Sequence, residues 1–328
     1  MDNLTHTLTG LALARTGLRR FTPRGTLLLV IAANIPDIDM LSWLKNRLTS
    51  LEMHRGYTHS LIGLPFVALL PVLLTALFTR SRLSWRNAWS LSCLGIVSHF
   101  LLDWSMSYGM RFFLPFSSTW FHLDIYSLTD WVVLAVLLLT CLAPALSRLV
   151  NAEIGARSGE ARGAAIFALC FIVLYGGFRG VMHSRVMSQL QSRIYEDALG
   201  SPARRMAAFP HSANPLTWSG IVEGEHSYRL YDLSPYGDFD PRAGELLYKA
   251  NWDATLQQVS HNPAFQYALY FARFPYWQKT PDGPDVSTVS ITDLRFGPPG
   301  ESFFKVNATV DASGHIQRVW FGGWRPVE

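Results

Sequence analysis

Histidine and aspartate residues suited to binding a divalent metal ion stand in four short motifs in the first part of the chain. The motifs read MDNLTHTLTG, NIPDID, HRGYTHS and SHFLLD. Imidazole nitrogen and carboxylate oxygen suit zinc or manganese, and because the motifs contain no cysteine, a structural zinc site built on thiolates is not expected. The candidate metal ligands, in chain order, are His6, Asp37, Asp39, His54, His59, His99 and Asp103.

These motifs border long apolar runs, where an ionisable side chain is costly unless it is paired, hydrated or coordinated. A bound metal ion supplies that compensation. Seven groups exceed the four ligands of one tetrahedral ion, so two arrangements stay open. The motifs hold either two ions, or one ion together with further carboxylates that orient the histidines.

Each motif also has a plain structural interpretation. His6 can be a histidine at the end of a helix, and Asp37 and Asp39 can cap or terminate one. His99 and Asp103 lie four residues apart on one side of a helix and can form a buried hydrogen-bonded pair. HRGYTHS favours a function more strongly, because two histidines, an arginine and hydroxyl groups directly precede an apolar run.

The elements that must position these residues are predicted to be membrane helices. The chain is 49% hydrophobic and only 16% charged, which is unusual for a wholly soluble protein, and its long apolar runs lie before about residue 182. The runs from Leu4 to Ala14 and from Thr26 to Ile35 are too short to span and are interpreted as a helical hairpin. The predicted spanning helices are Leu61 to Thr79, Ala88 to Trp104, Trp131 to Leu146 and Ala164 to Met182.

Basic residues in the short connections predict the orientation, because they favour the cytoplasmic side of a membrane. The site and the C-terminal domain are then expected outside the cytoplasm, although Arg179 and Arg185 after the last helix argue against this. The basic clusters are Arg15, Arg19, Arg20 and Arg24; Arg80, Arg82 and Arg86; and Arg148, Arg157 and Arg162.

The remainder of the chain has the pattern of a small extramembrane domain. An amphipathic helix is predicted from His183 to Leu199, followed by strands rich in aromatic and β-branched residues. The sequence thus predicts a multi-pass α-helical membrane domain over residues 1–182 and a small β-rich (α+β) domain over residues 183–328. The predicted strands are Leu216 to Val222, Tyr228 to Leu233, Phe265 to Phe274, Val286 to Phe296, Phe303 to Val310 and Ile316 to Trp324.

Taken in order, MDNLTHTLTG, NIPDID, HRGYTHS and SHFLLDW resemble a family of bacterial inner-membrane, LexA-binding, metal-dependent hydrolases that was formerly a domain of unknown function. The resemblance covers roughly residues 1 to 180, and HRGxTHS followed by HxxLD is its most specific part. It implies a multi-pass inner-membrane protein with metal-dependent hydrolase activity, and it assigns the same seven residues to the metal site.

The expected function is hydrolysis of an ester or phosphoester, with a lipid-linked substrate favoured by the location of the site at the outer membrane face. Asp39 or Asp103 is a candidate general base and Arg55 a candidate partner for a phosphate or a developing negative charge. The lipid bilayer is the expected partner, and a net charge of only +4 gives no support for nucleic-acid binding. Two alternatives stay open: a non-catalytic metal-binding protein for sensing or partner docking, and a transporter or proton relay.

Overall fold

The computed structural model describes residues 1–45, 47–80, 82–154, 162–195 and 202–322, with only the backbone described at residues 47, 143 and 145–154. The chain divides into two compact units. A helical unit comprises Met1–Ser184 and Pro210–Leu216, and a β-rich unit comprises Arg185–Phe209 and Thr217–Glu328. The predicted order, a helical region followed by a β-rich domain, is confirmed.

The helical unit contains short and long α-helices joined by 3-10 turns. The first helix begins after Asp2, whose carboxylate accepts a hydrogen bond from the backbone N–H of Thr5 and so caps the helix. Three 3-10 helices cover Leu18–Phe21, Ile35–Leu44 and Tyr57–His59. The α-helices are α1 (Asn3–Arg15), α2 (Gly25–Ala32), α3 (Arg47–Met53), α4 (Leu64–Val67), α5 (Leu69–Thr79), α6 (Trp85–Trp104), α7 (Trp131–Ile154) and α8 (Arg162–Gln191).

Two glycines allow α1, α2 and α6 to approach one another closely. A Cβ at Gly10 of α1 would lie 2.8 Å from the carbonyl oxygen of Leu29 and 2.9 Å from the Cβ of Ala33. A Cβ at Gly95 of α6 would lie 2.7 Å from the Cβ of Ala32. Contacts this short leave no room for a larger residue, so the three backbones pack directly on each other. These same helices carry or adjoin three of the four polar motifs.

The run from Leu61 to Thr79, predicted as one spanning helix, instead forms the separate helices α4 and α5. Pro65 lies in the first turn of α4, where its missing N–H is tolerated. Pro71 has no N–H to donate to the carbonyl of Val67, so one continuous helix would lack that hydrogen bond. A break before α5 avoids this loss and places Pro71 in the first turn of a new helix.

Among the described residues, α8 is the one helix that is long and apolar enough to cross a membrane by itself. Two helix pairs meet the same test only when each pair is joined across a bend: Gly25–Ala32 with Ile35–Leu44, bent by 53°, and Leu48–His59 with Leu64–Thr79, bent by 90°. The described apolar part of α7, Trp131–Leu142, is shorter. The separate helix predicted from His183 is in fact a continuation of α8 to Gln191, and residues 196–199 of that prediction lie outside the described residues.

The β-rich unit contains two four-stranded antiparallel sheets, in the orders β1-β2-β3-β4 and β5-β6-β7-β8. One hydrophobic cluster draws side chains from both, including Phe209, Ile221, Tyr228 and Tyr276. The strands are β1 (Arg205–Pro210), β2 (Trp218–Glu223), β3 (Ser227–Leu233), β4 (Glu245–Tyr248), β5 (Pro275–Pro281), β6 (Val286–Asp293), β7 (Lys305–Asp311) and β8 (Ile316–Phe321). The short helices α9 (Ala254–Ser260) and α10 (Pro263–Phe271) precede the second sheet.

One strand prediction was wrong. The segment from Phe265 to Phe274 lies mostly in α10, because Asn262 caps the helix by accepting from the N–H of Ala264 and Pro263 occupies its first turn. The aromatic content favoured a strand, yet the buried positions recur with helical spacing. The strands β1, β4 and β5 were not predicted, and Trp324, at the end of the last predicted strand, lies outside the described residues.

Candidate metal centre

The helical unit brings the seven candidate ligands together from four separate segments. One lies on α1, two on the 3-10 helix that follows α2, two in the stretch between α3 and α4, and two near the end of α6. The side chains of His6, His59, His99 and Asp103 are completely buried. Buried polar groups need partners, so the contacts within this cluster decide what it can bind.

Four of these residues form a first ligand group: Asp37, His59, His99 and Asp103, whose ligand atoms all lie within 4.8 Å of one another. The Nε2 atoms of His59 and His99 are 3.1 Å apart. Oδ1 of Asp37 lies 3.5 and 3.7 Å from these two nitrogens, and Oδ2 of Asp103 lies 3.6 and 3.4 Å from them. Bond lengths of about 2.0–2.2 Å place the ligands of a tetrahedral zinc ion about 3.3–3.6 Å apart, so the spacing fits one ion.

The hydrogen bonds of the two imidazoles support the same interpretation. Nδ1 of His99 lies 2.8 Å from the carbonyl oxygen of Ala33, which can only accept, so this nitrogen carries the proton. Nδ1 of His59 lies 3.0 Å from the hydroxyl of Thr58, which gives its own proton to Asp39 and so accepts one from this nitrogen. Both Nε2 atoms then present lone pairs to each other and to carboxylate oxygens. Such an arrangement repels itself unless a cation lies between them or one imidazole takes up a second proton and donates it to the other. The outer hydrogen bonds are those of metal-bound histidines.

A second ligand group consists of Asp37, Asp39 and His54. It shares Asp37 with the first group, so one carboxylate serves both. Nδ1 of His54 lies 3.0 Å from Oδ1 of Asp39, and the His54 side chain is 18% exposed, in contrast to the fully buried histidines of the first group. The first group offers four protein ligands, whereas the second offers three and reaches the surface. Three protein ligands with an open position are typical of catalytic metal sites.

Asp39 also organises the loop that carries HRGYTHS. Its Oδ2 accepts hydrogen bonds from the backbone N–H of Arg55 at 2.9 Å and from Oγ1 of Thr58 at 2.8 Å. The hydroxyl of Thr58 is also 3.0 Å from Nδ1 of His59. One carboxylate therefore ties both histidines of the motif to the 3-10 helix, and this explains why hydroxyl and charged residues occupy a stretch where a generic loop would serve.

Arg55 is a partner of the site's buried carboxylate. Its Nη2 lies 3.0 Å from Oδ2 of Asp103, its Nη1 donates to the carbonyl oxygen of Gly109 at 2.8 Å, and its guanidinium stacks 4.4 Å from the ring centroid of Tyr108. The backbone at Arg55 adopts a positive φ of 54°, which is uncommon for a non-glycine residue. Two of its three nitrogens are thus engaged within the protein, so Arg55 neutralises and positions Asp103.

His6 lies beside the first ligand group without belonging to it. Its ring stacks on His99 with centroids 3.8 Å apart, and its Nε2 lies 3.2 Å from Oδ1 of Asp103 without the alignment of a hydrogen bond. The α-amino group of Met1 contacts the same oxygen. Burial lowers the pKa of His6 to about 3, which keeps the imidazole neutral, the form that binds metal or accepts a hydrogen bond. Its buried Nδ1 has no hydrogen-bond partner.

Sequence reasoning did not identify Arg111 as part of this region. Its Nη2 donates to the carbonyl oxygens of Glu52 at 2.8 Å and of His54 at 3.2 Å, and its guanidinium lies 4.9 Å from the ring centroid of Trp120. Arg111 therefore fastens the end of α3 to the loop after α6. A single arginine in a predicted outer loop gives no sequence signal for this role, because only the tertiary fold brings the carbonyl oxygens of the distant residues Glu52 and His54 next to it.

Comparisons with known proteins agree with the membrane character of the helical unit. The model of the YdjM inner membrane protein family matches residues 1–186, more than half of the chain. A curated relative, the uncharacterized protein YfhP of Bacillus subtilis, is 28% identical over 141 residues, which cover 40% of this chain and 42% of that protein. The chain thus matches less than half the length of this relative. No solved structure shows a significant match.

Proposed function

Since this chain belongs to the YdjM inner membrane protein family, we propose that it is a membrane-bound, metal-dependent hydrolase acting on an ester or phosphoester. The observation that carries the proposal is the sharing of Asp37 between a closed group of four ligands and an open group of three. Paired sites of this kind suit hydrolysis, because one position is held rigidly by protein atoms while the other stays accessible to water and substrate.

The residues of the two groups have separate tasks in this proposal. Zinc or manganese bound there would lower the pKa of a bound water and polarise the oxygen of an ester. His59, His99 and Asp103 belong to the closed group, and Arg55 holds Asp103 ionised by its ion pair at 3.0 Å. Both candidate general bases are buried carboxylates with partners in the protein, so Asp39 or Asp103 can act as the base only where it is not itself a metal ligand.

We further propose a multi-pass arrangement in the bacterial inner membrane, with the site and the β-rich unit on the periplasmic side. The support comes from α8, from the two bent helix pairs that are jointly apolar enough to lie in a membrane, and from the arginine clusters in the connections. A substrate linked to lipid would meet the open ligand group at headgroup depth. In the third of these arginine clusters, Arg157 lies outside the described residues and the side chain of Arg148 is not described.

Metal analysis combined with hydrolysis tests this function. The purified chain is expected to bind two ions and to hydrolyse bis(p-nitrophenyl) phosphate or p-nitrophenyl acetate, with activity lost on chelation and restored by zinc or manganese. Asp37→Asn is expected to release both ions and His54→Ala only one, because Asp37 serves both groups and His54 one. His261→Ala, an exposed histidine of the β-rich unit, is the matched control. Unchanged metal content in Asp37→Asn and His54→Ala would contradict the ligand assignment.

A second function, non-catalytic metal binding for sensing or partner docking, is favoured by one observation. The closed group supplies four protein ligands, which is the number that fills a structural tetrahedral site. A chain that binds a single ion, retains it in His54→Ala and hydrolyses neither ester class would support this alternative over hydrolysis.

A further inference from the structure

Exposed apolar side chains lie on the segments that carry the metal ligands and on segments next to them in the chain. Leu44 is 81% exposed and Phe116 is 84% exposed, and a group of large exposed apolar side chains marks a surface that contacts lipid, a ligand or a partner. We call the following six residues the apolar collar: Leu41, Trp43, Leu44, Tyr57, Phe66 and Phe116.

The collar is continuous with the open ligand group through the backbone. Trp43 and Leu44 end the same 3-10 helix that carries Asp37 and Asp39, and α3 packs against that helix. Tyr57 lies inside the HRGYTHS loop. The segments after this loop are also adjacent, because the N–H of Leu61 donates to the carbonyl oxygen of Phe112 at 2.9 Å, near the turn that carries Phe116.

Five of the six collar residues, all except Phe116, belong to helix pairs that bend, and this distinguishes them from the surface of a straight lipid-facing helix. The segments Ile35–Leu44 and Leu48–His59 each meet the test for a membrane span only together with a neighbouring helix, across bends of 53° and 90°. Segments that are apolar yet turn back lie at the edge of the hydrocarbon, where side chains contact lipid while the backbone borders polar groups. Asp37 and His59 occur next to these bends.

We infer that the substrate is a lipid phosphoester: its headgroup lies at the open ligand group of Asp37, Asp39 and His54, and its hydrocarbon chain lies along the apolar collar. The inference rests on the proposed hydrolase function and adds the substrate class. Asp37, His59, His99 and Asp103 on one side and Asp37, Asp39 and His54 on the other would hold two ions, and two ions would supply charge stabilisation that suits a phosphoester. A small soluble ester would gain nothing from the collar.

Chain-length dependence of binding tests the inference without requiring turnover. Alkylphosphonates with ethyl, hexyl and decyl chains have a stable C–P bond and can be titrated calorimetrically into the metal-loaded protein in lipid nanodiscs. Each methylene that leaves water for an apolar surface contributes up to about fourfold in affinity. We expect decylphosphonate to bind the parent at least tenfold tighter than ethylphosphonate, after subtraction of its partitioning into empty nanodiscs.

The double variant Trp43→Ser, Leu44→Ser is expected to lose at least tenfold of this chain-length advantage while its affinity for ethylphosphonate and its metal content stay unchanged. Trp252→Ser, which removes an exposed tryptophan of the β-rich unit, is the matched control and should bind like the parent. An equal advantage in the parent and in the collar variant would overturn the inference, because the collar would then contact only bilayer lipid.

The outcome is separable from that of the proposed function. Collar-dependent phosphonate binding without hydrolysis of any ester would retain the lipid phosphoester as ligand and reject the hydrolase. Hydrolysis of bis(p-nitrophenyl) phosphate with no dependence of phosphonate affinity on chain length would retain the hydrolase and reject the lipid substrate. If the double variant fails to fold, the single variants Tyr57→Ser and Phe116→Ser replace it. Each is expected to keep its metal content and to lose part of the affinity advantage of decylphosphonate over ethylphosphonate.

Discussion

At the scale of residues, the ability of the site to bind a metal ion depends on which nitrogen and oxygen atoms are not used in hydrogen bonds within the protein. His59 and His99 donate from Nδ1 to the hydroxyl of Thr58 and the carbonyl of Ala33, and this leaves both Nε2 atoms directed at the same point. Asp103 shares that point and carries a charge that burial would otherwise disfavour. Arg55 compensates it, so the arginine predicted to hold a substrate phosphate is committed to a carboxylate of the protein.

Replacing Arg55 tests this pairing. Arg55→Met removes the guanidinium partner of the buried Asp103 carboxylate and leaves the α-amino group of Met1 beside it, and loss of one partner of a buried ion pair costs up to about 3–5 kcal/mol. The measurement is denaturant unfolding of the chelator-treated chain in detergent, so that metal loss does not contribute. Lys279→Met, which breaks an exposed pair with Asp253, should cost less than about 1 kcal/mol. Equal effects of the two substitutions would show that the Arg55 pair is not buried as described.

At the scale of elements, close helix packing positions the ligands. In the first group, Asp37 comes from the 3-10 helix after α2, His59 from the stretch before α4, and the other two ligands from α6. These ligands can converge only if the backbones of α2 and α6 are in contact. Gly95 permits this approach, since a Cβ there would lie 2.7 Å from the Cβ of Ala32. Helical glycines with open space, such as Gly177 of α8, have no such role.

Two alanine substitutions separate packing from helix propensity. Alanine favours a helix over glycine by about 1 kcal/mol, so Gly177→Ala should be neutral or stabilising. Gly95→Ala should instead destabilise by about 1–3 kcal/mol, because the added methyl overpacks the α2–α6 contact, and it should weaken metal binding by displacing His99. Thermal unfolding and metal content of both variants give the comparison. A stabilised Gly95→Ala with full metal content would refute the role of close packing.

At the scale of the whole molecule, the family identifies an inner-membrane protein, and α8 is the one helix among the described residues that is by itself long and apolar enough to span a membrane. The placement of the metal centre relative to the membrane then follows from how the bent pairs are arranged. Bent, apolar pairs fit a site at the membrane edge better than a site in the middle of a span, because their bends leave backbone groups that need polar partners.

Topology reporters test this arrangement. An alkaline phosphatase fused after residue 328 is expected to be active, since that enzyme needs the periplasm, while green fluorescent protein at the same position should stay dark. A fusion within the basic connection after α5, next to Arg80, should give the reverse pattern, because basic loops favour the cytoplasm. Fluorescence from the C-terminal fusion would place the site on the cytoplasmic side.

The sequence alone determined the candidate ligand types, their motifs and the division into a helical and a β-rich region, because side-chain chemistry and hydrophobic patterning are properties of residues and short segments. The relation of His99 to Asp103, four residues apart on α6, was equally predictable. The tertiary structure decided that Asp37 joins two ligand groups and that His6 lies beside them. These choices depend on contacts between distant segments, which spacing along the chain does not specify.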